Sequence, residues 1–220
     1  EGGQGTAVFR ATLDRAAAQL GTVERIFAMN RFTGTNRHFG SRIAIDEDGN
    51  LYFGIGDRGE RNRAQDAGDH AGSILRIRPD GSVPDDNPYA GESGASAETW
   101  SIGHRNPQGI TIDPATGILY TVEHGARGGD EINIPEAGAN YGWPEISYGV
   151  HYSGAEIGRG THAEGLEQPL YYWDPSIAPG AIAVYRGEMF PEWDGDILVT
   201  ALKDRLLAHV VLDDNGEPTA

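Results

Sequence analysis

Three short runs in the middle of the chain combine residue types that bind ligands. They are GHRNPQG at 103–109, GARGGDEIN at 125–133 and NYGWP at 140–144. Arginine, asparagine and glutamine beside glycine and proline hold hydrogen-bond donors over an anionic or carbonyl-rich group. The glycine-rich acidic run exposes main-chain carbonyls, which suit a hard cation such as Ca²⁺. Together the runs predict that a cation and an organic cofactor share one pocket.

The composition disfavours several classes of partner. Seventeen Lys and Arg against 33 Asp and Glu give a formal net charge of −16, which opposes binding to nucleic acid and to anionic lipid. Cysteine is absent, so disulfides and thiolate metal sites are excluded. No segment approaches the ~18 consecutive apolar residues of a membrane span. We therefore expect a soluble protein with no nucleic-acid partner and no membrane span.

Short β-strands are the elements predicted to position these runs. Residues 43–52 and 110–120 each have the pattern strand, turn, strand, with Asp and Gly in the turn, and 193–199 is a weaker copy. The turn glycines lie farther apart than the ~40 to 50 residues of a compact propeller blade, which predicts inserted loops. Further strands are expected at 6–13, 74–78, 170–173, 181–185 and 206–212, with a turn at 213–216.

With 32 glycines, 12 prolines and no convincing amphipathic helix, the chain is predicted to be all-β. Many short strands in repeated hairpins favour a β-propeller over a sandwich, because the loops inserted between the hairpins can converge on one face. We expect residues 1–220 to form a single propeller domain.

The three runs also carry a family resemblance. Extended to EHGARGGDEIN at 123–133 and GANYGWP at 138–144, they resemble the soluble quinoprotein glucose dehydrogenase family (glucose/sorbosone dehydrogenase-like), and most closely its aldose sugar dehydrogenase branch. The resemblance extends from about Gly5 to the end of the chain. It implies a six-bladed β-propeller that uses pyrroloquinoline quinone (PQQ) and Ca²⁺ to oxidise aldoses at C1 to the lactone. It also implies an external electron acceptor and a periplasmic or secreted location.

The resemblance assigns catalytic roles to three residues. His38, in NRHFGSR at 36–42, falls where the family has its catalytic base, and Asp57 falls where a carboxylate orients that histidine. Removing the anomeric hydroxyl proton while hydride leaves C1 requires a base that titrates near neutrality, which suits a histidine paired with a carboxylate. Arg105 would stabilise the negative charge that develops near the quinone C5 oxygen.

Further residues match the family's cofactor and substrate positions. Arg105, Asn106 and Lys203 match PQQ contacts. Trp173 falls where the family has an aromatic residue beside the sugar, and an apolar ring face suits the C–H surface of a pyranose. A large aromatic residue is more commonly part of the core, however, and Lys203 taken alone would be a solvated lysine.

The resemblance places two calcium ions. The main-chain carbonyls of Gly125 and Ala126 would hold the ion that polarises the reactive carbonyl. The family often has proline in place of Ala126, so this loop is expected to be less rigid. Glu131 and Tyr141 match the ligands of a second, structural calcium, and a capped turn and a core tyrosine would explain these two residues equally well.

The chain is expected to form an incomplete arc of about four blades. Two cofactor-binding elements of the family, a glutamine on an early blade and a pair of arginines on the last blade, have no counterpart in the sequence. We therefore expect the chain to begin inside the second blade, to end before ring closure and to be weakly active in isolation. Unpaired sheet edges would be left exposed at both ends.

Two other functions are compatible with the same residues. In a calcium-dependent propeller lactonase, the ion would polarise an ester while His38 activates water. A non-catalytic, carbohydrate-binding propeller would need neither His38 nor Asp57. Arg105, Asn106 and Lys203 favour the dehydrogenase, because a lactonase has no need of a polyanionic cofactor.

Overall fold

The computed structural model describes residues 2–219, and these residues contain fifteen β-strands and two 3-10 helices. The 3-10 helices are Arg61–Gln65 and Pro191–Trp193. The strands are β1 Ala7–Arg10, β2 Leu13–Asp14, β3 Gln19–Leu20, β4 Glu24–Ala28, β5 Ile43–Ile45, β6 Leu51–Ile55, β7 Ser73–Ile77, β8 Thr99–Ser101, β9 Pro107–Ile112, β10 Leu119–Glu123, β11 Asp130–Asn133, β12 Tyr171–Trp173, β13 Pro179–Val184, β14 Ile197–Ala201 and β15 Leu206–Val210. No helix in this part of the chain is long and apolar enough to cross a membrane.

The strands form antiparallel sheets that follow one another along the chain. Two sheets have four strands each, in the orders β5-β6-β7-β8 and β12-β11-β10-β9. A three-stranded sheet, β13-β14-β15, follows them, and the pairs β1-β4 and β2-β3 precede them. Sequential antiparallel neighbours are the arrangement of propeller blades.

The hairpins β5-β6 and β9-β10 close with the aspartate turns that the sequence predicts. In the first, the side chain of Asp46 accepts the amide of Asn50 at 2.7 Å, and Gly49 has φ +84°. In the second, the Gly117 amide donates to the Asp113 carbonyl at 2.8 Å, and Gly117 has φ +74°. Positive φ explains why glycine occupies both positions.

A separate hydrophobic cluster fills each seam between neighbouring sheets. Val8 and Phe27 pack against Phe53 between the first pair of strands and the β5-β8 sheet. The other two seams are filled by the clusters Tyr52, Ile74, Ile110 and Leu119, and Val122, Ile132, Ile182 and Val199. Because β9 also contacts β5, β6 and β13, the sheets converge along their first strands. The fold is therefore all-β and forms part of a β-propeller, as predicted.

The register of the hairpins brings the predicted site residues to one end of the sheets. In each sheet the start of the first strand pairs with the end of the second, as in Pro107↔Glu123 and Pro179↔Ala201. The segments before β5, β9 and β13 and after β6, β10 and β14 therefore lie at the same end, which we call the site end. The residues predicted for the base, the cofactor contacts and the first calcium all lie in these segments.

The structure differs from the predicted strands in several places, and β4 and β8 had not been predicted. The strand expected at 6–13 ends at Arg10 and is followed by a β2-β3 hairpin, whose turn is stabilised by the Asp14 side chain accepting the amides of Ala16 and Ala17. The glycine-rich run at 125–133 is a loop only in its first half, because its second half forms β11.

Candidate active site

His38 and Asp57 form a hydrogen-bonded pair at the site end. His38 precedes β5 and Asp57 follows β6, and the imidazole Nδ1 lies 2.5 Å from Asp57 Oδ1. His38 has φ +54°, and a Cβ at Gly56 would collide with its main chain. Glycine at 56 therefore allows the two segments to approach closely. The Asp57 side chain is 2 % exposed and that of His38 is 17 % exposed, so the ring still reaches solvent.

Hydrogen bonds keep the Asp57 carboxylate ionised. Burial alone would raise its pKa, but the hydrogen bond and charge of His38, the amide of Gly59 and the indole of Trp143 together hold the pKa below its ordinary value. Because an ionised carboxylate only accepts hydrogen bonds, Nδ1 of His38 donates its proton to Asp57. Nε2 of the neutral ring is then left as the proton acceptor, which is the state that a general base requires.

Arg105 lies beside this pair, in the segment before β9. Its carbonyl accepts the Asp57 amide at 2.9 Å, which joins the two segments directly. Its guanidinium donates to the carbonyls of His124, at 2.9 Å, and Gly125, and it lies 5.2 Å from the centre of the Trp143 ring. The Nε atom is buried with no hydrogen-bond partner in the described part of the chain. The buried Nε–H of Arg105 is thus available to an external acceptor.

A buried carboxylate, Glu123, holds the 104–106 segment in place. Its Oε2 accepts the amides of Arg105 at 2.6 Å and Asn106 at 3.2 Å, and its Oε1 bonds His104 Nδ1 and Asn133 Nδ2 at 2.9 Å each. Glu123 lies within the motif at 123–133 but had no predicted role. Asn106 is buried, and its side-chain oxygen accepts a bond from Gln108 at 2.9 Å.

A cavity of about 20 Å³ lies between Arg105 and Glu131, which is room for one water molecule or one ion. Its lining includes Arg105, Glu123, Gly125, Glu131, Tyr141 and Trp143. Burial, and then the charge of Glu123, raise the pKa of Glu131 to about 8. A carboxylate with a raised pKa beside a second carboxylate is the environment that a bound cation would stabilise.

The other predicted calcium ligands lie around this cavity. A Cβ at Gly125 would collide with the carbonyls of Gly128 and Gly129, so the loop can close only with glycine there. Ala126 is buried against Trp143. The Tyr141 hydroxyl donates to the Ile134 carbonyl and accepts the Glu136 amide, which leaves its main-chain carbonyl as the group available to a cation.

The remaining predicted residues lie at the margin of the site. Lys203 is exposed, and its Nζ donates to the Ser176 carbonyl at 2.9 Å. The hydroxyl of Ser176 in turn donates to Asp130, which also accepts the Gly125 amide. This chain of bonds links Lys203 to the loop that carries Gly125.

Trp173 lies at the end of β12. Its ring is half-buried, contacts Tyr171 and packs on the core cluster of the last seam. No hydrogen bond or ring contact among residues 2–219 joins that ring to His38 or Arg105. Its role beside a sugar stays a prediction.

The described residues contain no group of three or more His, Cys, Asp and Glu side chains arranged to hold a metal. The two ligands predicted for the first calcium are main-chain carbonyls. Of the histidines left without a role, His104 is fully buried between Ser101 and Glu123, and His70 bonds Asn30 and Glu98.

Comparison with known proteins identifies the family. The sequence pattern described as Glucose / Sorbosone dehydrogenase matches residues 1–220. The chain belongs to this family. It is 40 % identical over 219 residues to the aldose sugar dehydrogenase YliI of Escherichia coli (strain K12), a match that covers 99 % of this chain and 58 % of that protein. The chain thus spans little more than half the length of that relative.

Solved structures of the family share the fold. A crystal structure of glucose dehydrogenase superposes with a TM-score of 0.95 at 39 % identity, covering 99 % of this chain and 63 % of that one. A PQQ-bound aldose sugar dehydrogenase from Streptomyces coelicolor gives a TM-score of 0.76 at 29 % identity, covering 97 % of this chain and 57 % of the other.

Proposed function

We propose that this chain carries the reactive end of a PQQ- and calcium-dependent dehydrogenase that oxidises aldose sugars at C1 to the lactone and passes two electrons to an external acceptor. Membership of the glucose/sorbosone dehydrogenase family and the PQQ-bound relative support the reaction class. When bound, PQQ supplies the two-electron oxidant and Ca²⁺ supplies a Lewis acid.

The residues present fit both groups. Arg105 has a buried Nε that bonds nothing among residues 2–219, which suits an anionic acceptor such as the carboxylates and quinone oxygens of PQQ. Glu131 is a carboxylate whose pKa is raised by burial and by the charge of Glu123, and a bound cation would offset both effects. Arg105, Asn106 and Lys203 would contact PQQ. The carbonyls of Gly125 and Ala126 would hold one calcium, and Glu131 with Tyr141 a second.

The chain's own residues divide the chemistry among them. Nε2 of His38 accepts the anomeric hydroxyl proton, and Asp57 stabilises the imidazolium that forms. The Arg105 guanidinium provides a fixed positive charge where negative charge develops. Trp173 is proposed to offer a ring face to the sugar.

One observation favours this proposal over the two alternative functions. The His38-Asp57 pair and Arg105 come from different sheets, yet the Asp57 amide donates to the Arg105 carbonyl at 2.9 Å, so the base and the cation lie at one site. A lactonase would use the base but would have no need of the Arg105 Nε–H, which is buried and has no partner among residues 2–219.

Reconstitution tests the proposal. The chain is titrated with PQQ in the presence of Ca²⁺, and reduction of an artificial electron acceptor is followed with glucose and other aldoses. We expect saturable PQQ binding that Arg105→Ala weakens and that Arg127→Ala, a change at an exposed arginine of the same loop, leaves unchanged. Hydrolysis of a sugar lactone without PQQ, together with no PQQ binding, would favour the lactonase instead.

A further inference from the structure

Trp143 completes the hydrogen bonding of Asp57. Its indole Nε1–H donates to Asp57 Oδ2 at 2.8 Å, while His38 Nδ1 occupies Oδ1 at 2.5 Å. Asp57 is 1 % exposed and Trp143 is 9 % exposed. A buried carboxylate with a donor on each oxygen cannot rotate without losing a hydrogen bond.

The same indole also contacts the cation of the site. The Arg105 guanidinium carbon lies 5.2 Å from the centre of the Trp143 ring, within the range of a cation–π interaction. A cation over the ring also makes the indole N–H a stronger donor to Asp57. One side chain therefore touches both the pair that moves the proton and the arginine that stabilises charge.

The main chain of Trp143 is fixed independently of its side chain. Its carbonyl accepts Gln65 Nε2 at 2.8 Å, and its amide donates to the Gly103 carbonyl at 2.9 Å. Gln65 also exchanges hydrogen bonds with Asn140. These bonds attach the long loop between β11 and β12 to the neighbouring sheet, so the indole enters the site in one orientation.

We propose that Trp143 is a positioning residue for the reaction: its indole N–H orients Asp57, and through it the His38 ring, while its ring fixes the Arg105 guanidinium. This inference rests on the proposed function, since it assigns Trp143 to that same site. The charged groups that interact with Asp57 are His38 and the neighbouring Arg58, and Arg105 contacts the Trp143 ring.

The chain offers a closely matched control. Trp100 also donates its indole N–H at 2.9 Å, to the Pro135 carbonyl, and also has an arginine, Arg76, at 5.2 Å from its ring. Trp143→Phe and Trp100→Phe each remove one indole N–H and keep an aromatic ring. The two variants therefore differ in whether the lost bond reached Asp57.

NMR of the chain without cofactor tests the positioning role. In Trp143→Phe we expect the carboxyl carbon of Asp57 to titrate at higher pH than in the parent and the His38 Nδ1–H resonance to shift. Trp100→Phe should change neither signal. An unchanged Asp57 titration in a folded Trp143→Phe, or the same change in Trp100→Phe, overturns the proposal.

A second NMR measurement uses the unmodified chain and so does not depend on the folding of a variant. The Nε1–H resonance of Trp143 should shift with the same pH midpoint as the Asp57 carboxyl signal, and that of Trp100 should not. A Trp143 signal that does not follow Asp57 overturns the proposal equally.

Measurement of sugar oxidation provides a separate test of the role of Trp143. In the protein reconstituted with PQQ and Ca²⁺, Trp143→Phe should lower kcat roughly 10-fold with little change in KM, because small misplacements of catalytic groups act mainly on the chemical step. Unchanged kcat would contradict the positioning role. If the parent protein oxidises no sugar while the NMR signals behave as expected, the proposed function fails and the contact of Trp143 with Asp57 stands.

Discussion

The buried carboxylates of the site differ in what stabilises their charge. Asp57 has hydrogen bonds from His38, Gly59 and Trp143, and Glu123 has the four described above. Glu131 has one long bond from Asn133, at 3.4 Å. The charges of Asp57 and Glu123 are therefore stabilised by the protein itself, whereas in the described part of the chain Glu131 has no cation or short hydrogen bond to stabilise its charge.

The His38 assignment predicts a loss of turnover with little effect on cofactor binding. In the protein reconstituted with PQQ and Ca²⁺, His38→Ala should lower kcat by roughly 10²-fold or more, the usual effect of losing a general base. PQQ affinity should remain, because its proposed contacts are other residues. The exposed His162 provides a control, since His162→Ala should keep full turnover. Steady-state dye reduction measures both, and undiminished turnover in His38→Ala would remove His38 from its role.

The Glu131 assignment predicts effects of opposite sign without and with calcium. Without Ca²⁺, Glu131→Gln should unfold at the same or a higher temperature than the parent, because a neutral amide replaces a buried carboxyl that ionises only at a cost beside Glu123. With Ca²⁺ at 100 times its Kd, the parent should gain about 2.7 kcal/mol and Glu131→Gln should gain much less. Thermal unfolding with and without Ca²⁺ measures this. The same substitution at the exposed Glu145 is the control. If Ca²⁺ stabilised Glu131→Gln as much as the parent, Glu131 would be excluded as a calcium ligand.

At the scale of elements, the segment that carries His38 has no strand pairing of its own. It is held by Arg58, which is fully buried and has φ +58°. The Arg58 guanidinium donates to the carbonyls of Arg37, at 2.5 Å, and Thr35, at 2.9 Å, and it lies 3.6 Å from the centre of the Phe39 ring. Arg58 has no carboxylate partner within residues 2–219, and its bonds to main-chain carbonyls fix the loop around the base.

Removing this cation should loosen the loop. Arg58→Met leaves the carbonyls of Arg37 and Thr35 without their donor, at a cost of roughly 1–3 kcal/mol in the free energy of unfolding. Amide hydrogen exchange should accelerate at 35–41 more than in the strands. Arg42→Met, at an exposed position of the same segment, should have no such effect. Unfolding in urea and hydrogen-exchange mass spectrometry provide the two measurements. Unchanged exchange at 35–41 would contradict the proposed role of Arg58 in holding this loop.

Elements with local signals were predictable from the sequence. The turns at Gly49 and Gly117 follow from aspartate and glycine, and the strands beside them from apolar runs. The β2-β3 hairpin was missed because its turn, at Ala16 to Ala18, is built from alanines and an Asp14 side chain. Strand β11 was missed because its glycine-rich neighbours suggested a loop.

The candidate site was predictable where its residues lie in sequence motifs. It was not predictable where a contact joins residues from different sheets. The sequence motifs brought His38, Asp57 and Arg105 into one hypothesis. Nothing local to residue 143 indicates that its indole reaches Asp57, 86 residues away. Likewise, nothing local to Arg58 shows that its side chain turns back onto residues 35–39.

At the scale of the whole molecule, the sheets are joined at both ends as well as through the apolar seams. Opposite the site end, Arg186 bridges the Asp113 turn of the β9-β10 hairpin and Asp194, which precedes β14. Its contacts with Asp113 are 3.0 Å and 2.7 Å, a bidentate geometry. The Asp113 side chain is 3 % exposed, so this pair is shielded from solvent.

The Asp113–Arg186 pair predicts how the stability of the arc depends on pH. The hydrogen bond from Arg186 lowers the pKa of Asp113 to about 2, against ~3.9 for an unfolded aspartate. Because the folded pKa is depressed, the contribution of about 2 kcal/mol is complete above pH ~4 and is lost as the pH falls toward 2.

Arg186→Met should therefore destabilise the chain at pH 7 and flatten the decline of its unfolding free energy between pH ~4 and ~2. Arg10→Met, which breaks a pair whose side chains are 46 % and 56 % exposed, should cost well under ~1 kcal/mol at any pH. Urea unfolding at pH 7, 4 and 2.5 measures both variants. An equal loss in the two at pH 7 would mean that Arg186 acts as an ordinary surface charge and that the apolar seams alone hold the last two sheets together.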